Sequence, residues 1–139
     1  MMEEMTMSLN RLVLAIALIG AACPALAVPL AMCPQQHGEG KHTGFLGNAS
    51  VFDGAPEKLV ELMPDLATLE WDLSTGQEYA RAGGNSMYLV CKYKGIKSTV
   101  TLKIPYQATL CKVEGIRQRT SRTSIWCGKR RNNSAINPR

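Results

Sequence analysis

The chain has 139 residues, 45% of them hydrophobic and 19% charged, with a formal net charge of +5. That composition fits one small globular domain, excludes a disordered or collagen-like chain, and leaves no room for a second domain. No apolar stretch reaches the roughly 20 residues a membrane-spanning helix needs, so no transmembrane segment is expected in the mature form.

Residues 12–22 form an unbroken apolar run of 11 residues, preceded by Arg11 and followed by Ala25-Leu26-Ala27. A run of that length with a small-residue exit is the pattern of a secretory signal peptide, cleaved after Ala27. Glu3 and Glu4 make the first eleven residues net negative, which a start at Met7 would correct. Gly20-Ala21-Ala22-Cys23 has the small residues of a lipoprotein signal, but the usual leucine three positions before the cysteine is missing and Pro24 follows. Lipid anchoring through Cys23 is therefore the second reading, and a periplasmic or secreted chain the first. The expected organisation is a signal peptide over 1–27, a single exported domain over 28–131 and a flexible polar tail over 132–139.

Cleavage after Ala27 leaves Cys33, Cys91, Cys111 and Cys127, spaced by 58, 20 and 16. An even number of cysteines in a small exported domain implies two disulfides, with three possible connectivities. A zinc site would show close pairs such as C-x-x-C, which are missing.

Residues 28–48 hold Pro29, Pro34, four glycines and both histidines, and read as an irregular lead-in pinned by Cys33. Pro56 and Glu57 stand where a helix likes to begin, and a short helix is predicted over 56–63. Leu59, Leu62 and Met63 would share its buried face, Glu57 and Glu61 its wet one, and Pro64 would end it. From 67 to 73 the period falls to two, predicting a strand with Ala67, Leu69, Trp71 and Leu73 inward. Residues 74–85 are polar and glycine-rich and read as a loop. Met87, Leu89, Cys91 and Tyr93 then alternate inward, Gly95 turns the chain, and Val100, Leu102 and Ile104 return, which predicts an antiparallel hairpin. Further strands are expected over 109–114, with Cys111 and Val113 inward, and over 123–127.

A turn near Arg119 sets Val113 opposite Ile125 and Cys111 opposite Cys127. Directly opposed Cα atoms lie about 4.5 Å apart in a non-hydrogen-bonded pair, within disulfide reach. In a simple meander the hairpin's return strand would hold Cys91 and Cys111 about 9 to 10 Å apart, too far to bridge. The expected links are thus Cys111 with Cys127 and, by elimination, Cys33 with Cys91. The fold class is α+β: a small antiparallel sheet of four or five strands, one short helix and two disulfides.

Charge is unevenly placed. Residues 28–80 hold two basic and eight acidic side chains, and residues 81–139 thirteen basic and one acidic. Arg117, Arg119, Arg122, Lys129, Arg130 and Arg131 form the densest basic cluster and are the candidate binding residues, for an anionic envelope polymer, a lipid headgroup or an acidic protein. Nucleic acid is not an expected partner, since the chain leaves the cytoplasm and shows no recognition motif.

Motifs for chemistry fail one by one. Residues 38–44 miss the phosphate-loop pattern at positions 35 and 42. A hydrolase triad would have to draw its base from His37 or His42 in the loose lead-in, and no Gly-x-Ser-x-Gly elbow is present. Asp53, Glu57, Asp65, Asp72 and Glu78 offer no distinguished carboxylate pair. The reading is a non-enzymatic interaction protein without a cofactor; the alternative is an envelope metal-binding protein using His37 and His42, with Glu39 between them.

Cys33-Pro34, Phe52-Asp53-Gly54-Ala55-Pro56-Glu57, Leu62-Met63-Pro64-Asp65, Trp71-Asp72-Leu73, Tyr88-Leu89-Val90-Cys91-Lys92-Tyr93 and Leu102-Lys103-Ile104-Pro105 before Cys111, together with the signal peptide, form an ordered set. The set resembles a family of small exported proteobacterial proteins of unassigned function. The resemblance implies a periplasmic or envelope setting and carries over no active site.

Overall fold

The computed structural model describes residues 29–115 and 122–131. The signal-peptide segment with Cys23, the tail 132–139, Arg117 and Arg119 lie outside the described residues. Within them the chain forms β1 (Ala31–Met32), β2 (Gln36–His37), β3 (Gly44–Asp53), β4 (Glu61–Leu62), β5 (Glu70–Asp72), α1 (Ser74–Ala82), β6 (Met87–Tyr93), β7 (Thr99–Ile104), β8 (Leu110–Glu114) and β9 (Ser124–Gly128).

The strongest alternation in the sequence builds the centre. β6 and β7 pair antiparallel from Met87 with Ile104 to Lys92 with Thr99, and β3 lies along the other edge of β6. Met87, Leu89, Cys91 and Tyr93 are buried, as a period of two requires. β2 and β4 add to opposite ends of β3, completing a five-stranded sheet ordered β2-β3-β6-β7 with β4 on β3. The other sheet has four strands, in the order β1-β9-β8-β5. All pairings are antiparallel.

The buried faces of the two sheets share one core. Trp71, Cys111, Val113, Ile125 and Cys127 come from the four-stranded sheet, and Val51, Met87, Leu89, Cys91 and Ile104 from the five-stranded one. Each large apolar side chain taken fully from water contributes about 1.5–3 kcal/mol. Cys33–Cys91 joins the sheets, with Cα atoms 5.7 Å apart, and Cys111–Cys127 bridges facing residues of β8 and β9, 4.0 Å apart. Val113 faces Ile125, so the expected register of the last two strands holds.

The α+β class, the antiparallel pairing, the short helix and both disulfides are as expected, with the strands divided between two sheets. Four local expectations are corrected. The strand expected over 67–73 is confined to Glu70–Asp72, since residues 66–69 make a turn with Ala67 exposed and Leu69 at φ 55°. The helix is not at 56–63: Pro56–Lys58 makes one 3-10 turn, Leu59 turns left-handed at φ 59°, and the chain straightens into β4. The helix is at Ser74–Ala82, in place of the expected loop, and Asp72 Oδ1 accepts the Ser74 N–H at 3.0 Å in a local turn just ahead of it. Its buried side chains are Gln77 and Ala80, which carry no apolar periodicity. The lead-in is not irregular throughout: β1, β2 and the first half of β3 lie in it. Gly44 hid that strand, since a Cβ there would stand 2.6 Å from the Lys94 carbonyl oxygen. The meander is corrected as well: β6 and β8 belong to different sheets.

Candidate functional site

The predicted basic cluster divides around β9. Arg122 precedes the strand, beside a hollow of about 230 Å³ that is also lined by Gln35, Gln36, Phe45 and Lys94. Lys129, Arg130 and Arg131 follow it and line a cleft of about 440 Å³ with Glu70, Leu110, Lys112 and Trp126. A five-residue extended strand spans about 17 Å, which keeps Arg122 from the other three.

The cleft lies on the outward face of the four-stranded sheet, where Met32, Trp126, Lys112 and Glu70 form one cross-strand row. Gly128 lets the Trp126 indole lie over the strand, since a Cβ there would meet the ring at 3.1 Å. Lys112 Nζ is 3.2 Å from Glu70 Oε1 and 3.8 Å from Glu114 Oε1, and Arg130 Nη1 is 3.7 Å from Glu70 Oε2. Such half-exposed pairs contribute about 0–1 kcal/mol each. Their larger effect is to offset the cleft's positive charge. Bonds from the Ser74 backbone and side chain, with help from Arg130, hold the neighbouring Asp72 carboxyl below its ordinary range. Trp126 lies between two inward residues, Ile125 and Cys127, and strand alternation alone puts it on the outer face.

The two histidines have different surroundings. His37 is half-buried, its ring centroid 5.3 Å from that of Tyr93, while His42 is exposed at the end of a 3-10 turn over Gly40–His42. Among the described residues no group of three or more His, Cys, Asp or Glu side chains is placed to hold a metal ion. The Tyr93 hydroxyl donates to the Pro34 carbonyl at 2.8 Å, and burial raises its pKa.

The segment predicted as a helix is the second candidate surface. Leu59, Val60, Met63 and Leu66 are four of the eight exposed large apolar side chains among the described residues, and Glu57, Glu61 and Asp65 stand among them. Leu62 alone of the predicted buried face turns inward and packs on the core. The signal was present in the sequence: an apolar-acidic stretch closed in by Pro56 and Pro64 is too short for a stable amphipathic helix.

The family model for the type VI secretion system Tli immunity protein matches residues 39–128. The chain belongs to the Tli immunity family. No curated protein and no solved structure matches it. The Tli match takes in β3 to β9, the apolar-acidic segment, Trp126 and the Cys111–Cys127 link, and stops before Lys129. The match is consistent with the resemblance to a family of small proteobacterial proteins.

Proposed function

We propose that this chain is an exported, non-enzymatic immunity protein that binds a type VI secretion effector in the periplasm and neutralises it by occupying its surface. The family match over residues 39–128 carries the reading. Two disulfides in so small a domain suit an oxidising compartment and support it. All four described cysteines are bonded, so none supplies a thiolate. A fold cross-linked within and between its sheets gives a rigid surface, which loses little entropy on docking.

Competition between sister strains tests it. A recipient lacking this gene is mixed with a donor of its own kind whose type VI apparatus is intact or disabled. Death of the recipient only beside the intact donor, reversed by returning the gene, is expected; equal survival in both mixtures would overturn the reading. The mass of the protein recovered from the periplasm tests export: Val28 is the expected first residue, and a lipid-modified Cys23 is the alternative.

A second reading is favoured by the cleft of Lys112, Trp126, Lys129, Arg130 and Arg131, where an aromatic side chain lies among cations. There the basic carboxyl-terminal half would contact an anionic envelope component or an acidic protein. Co-sedimentation with phosphatidylglycerol vesicles that salt abolishes, and that is lost in Lys129→Ser/Arg130→Ser/Arg131→Ser, would support it; equal sedimentation of both proteins would count against it.

A further inference from the structure

We infer that the projection formed by residues 55–66 is the part of the chain that grips the effector, and that it fits an apolar hollow bordered by lysine and arginine side chains. This rests on the immunity reading and adds to it the place and the chemistry of the contact.

Leu59 is 80% exposed, Met63 81%, Leu66 74% and Val60 50%. Apolar side chains gathered in one exposed segment mark a surface that another molecule covers. The projection is nonetheless held in place. Asp53 N donates to the Val60 carbonyl at 2.9 Å, the Trp71 indole to the Leu62 carbonyl at 3.0 Å, and Asp65 N to the Glu70 carbonyl at 2.8 Å. Asp65 Oδ1 in turn accepts the N–H groups of Ala67 and Thr68. Leu59 itself sits at φ 59°, a conformation that leucine rarely adopts and that the Leu59 N–H to Pro56 carbonyl bond helps to hold. Anchors fixed before binding lose little freedom when they dock.

Charge selects the partner. Glu57, Glu61 and Asp65 belong to this stretch and Asp53 ends the strand before it, and Lys58 is the one base between 53 and 66. Elsewhere opposite charges meet, as where β5 brings Glu70 beside Lys112 of β8; among the described residues β4 pairs with β3 alone, and β3 carries no basic side chain. A basic, apolar-pocketed surface is therefore drawn to the projection and repelled by the cation-rich carboxyl-terminal half.

The probe is the donor protein whose removal stops the killing of unprotected recipients, purified and titrated against this chain by calorimetry. Leu59→Asn/Met63→Ser/Leu66→Ser, with Asn chosen to suit the left-handed backbone, should bind about 100-fold more weakly or worse with an unchanged melting temperature. Glu57→Lys/Glu61→Lys should bind about tenfold more weakly, mainly through slower association. Met63→Ser alone replaces the triple variant should that melt lower. Binding by both variants within about threefold of wild type overturns the proposal and leaves the immunity reading standing. No binding by wild type removes the immunity reading and the proposal with it. A concentration-dependent dimer of wild type that the triple variant loses, with effector binding unaffected, would assign the projection to a second copy of the chain and overturn the proposal.

Discussion

Trp71 adds one side-chain hydrogen bond to the backbone bonds that tie the acidic projection to the body of the molecule. Its ring belongs to the inner face of the four-stranded sheet and its Nε1–H reaches the Leu62 carbonyl of the other sheet. Trp71→Phe keeps much of the apolar ring but removes that hydrogen bond, so a loss of about 0.5–1.5 kcal/mol in denaturant unfolding is expected, with faster amide exchange across Val60–Leu62. Two other side chains contribute to the pH dependence. The Asp72 pKa is lowered in the fold, so its stabilising contribution is present above the ordinary value of 3.8 and is lost as pH falls through the lower folded value. Asp72→Asn should therefore differ from wild type at neutral pH and converge with it in acid. Burial raises Tyr93 above its ordinary value of 10.0, so its contribution is intact below that pH and is lost as pH rises through the folded value. Tyr93→Phe should flatten the alkaline side of a melting-temperature profile; an unchanged alkaline slope would show that Tyr93 is not its source.

At the scale of elements, the two disulfides make unequal contributions. In the chain-entropy view a link stabilises by the loop it closes, and the loops span 58 and 16 residues. Cys33→Ser/Cys91→Ser should thus cost about 1 kcal/mol more than Cys111→Ser/Cys127→Ser, which denaturant titration of the two double variants measures. Both links are legible in the sequence, but for different reasons. Cys111–Cys127 follows from strand register, which the structure repeats in the facing of Val113 and Ile125. Cys33–Cys91 follows only by elimination, and the meander used for it is replaced by two sheets with Cys91 in one and the Cys111–Cys127 bridge in the other. The β6–β7 hairpin is legible because one face is continuously buried. The helix is not, because Gln77 and Ala80 make its inner face and Gly76 lies against Met87, where an added Cβ would come within 3.2 Å. A contact that needs small or polar residues leaves no apolar period to read.

For the molecule as a whole, the uneven charge of the chain is plain in the sequence, but its distribution over the surface depends on which strands meet. Glu70 from the acidic half pairs with Lys112 and Arg130, and β9 separates Arg122 from Lys129, so the described part of the expected cluster lies at the two ends of one strand. The acidic projection keeps its charge because its own strand sits at a sheet edge. Long-range attraction between this lobe and a basic effector acts on encounter, and mobile ions screen it beyond about 8–10 Å at ordinary salt. Raising salt from 50 to 500 mM should therefore slow association by about tenfold while changing dissociation little. In Glu57→Lys/Glu61→Lys that slope should flatten, and in Lys129→Ser/Arg130→Ser/Arg131→Ser it should persist, since those cations lie outside residues 55–66. Stopped-flow association at several salt concentrations reads all three. The reverse pattern, with the slope lost in the basic variant and kept in the acidic one, would move the docking surface to the cleft beside Trp126.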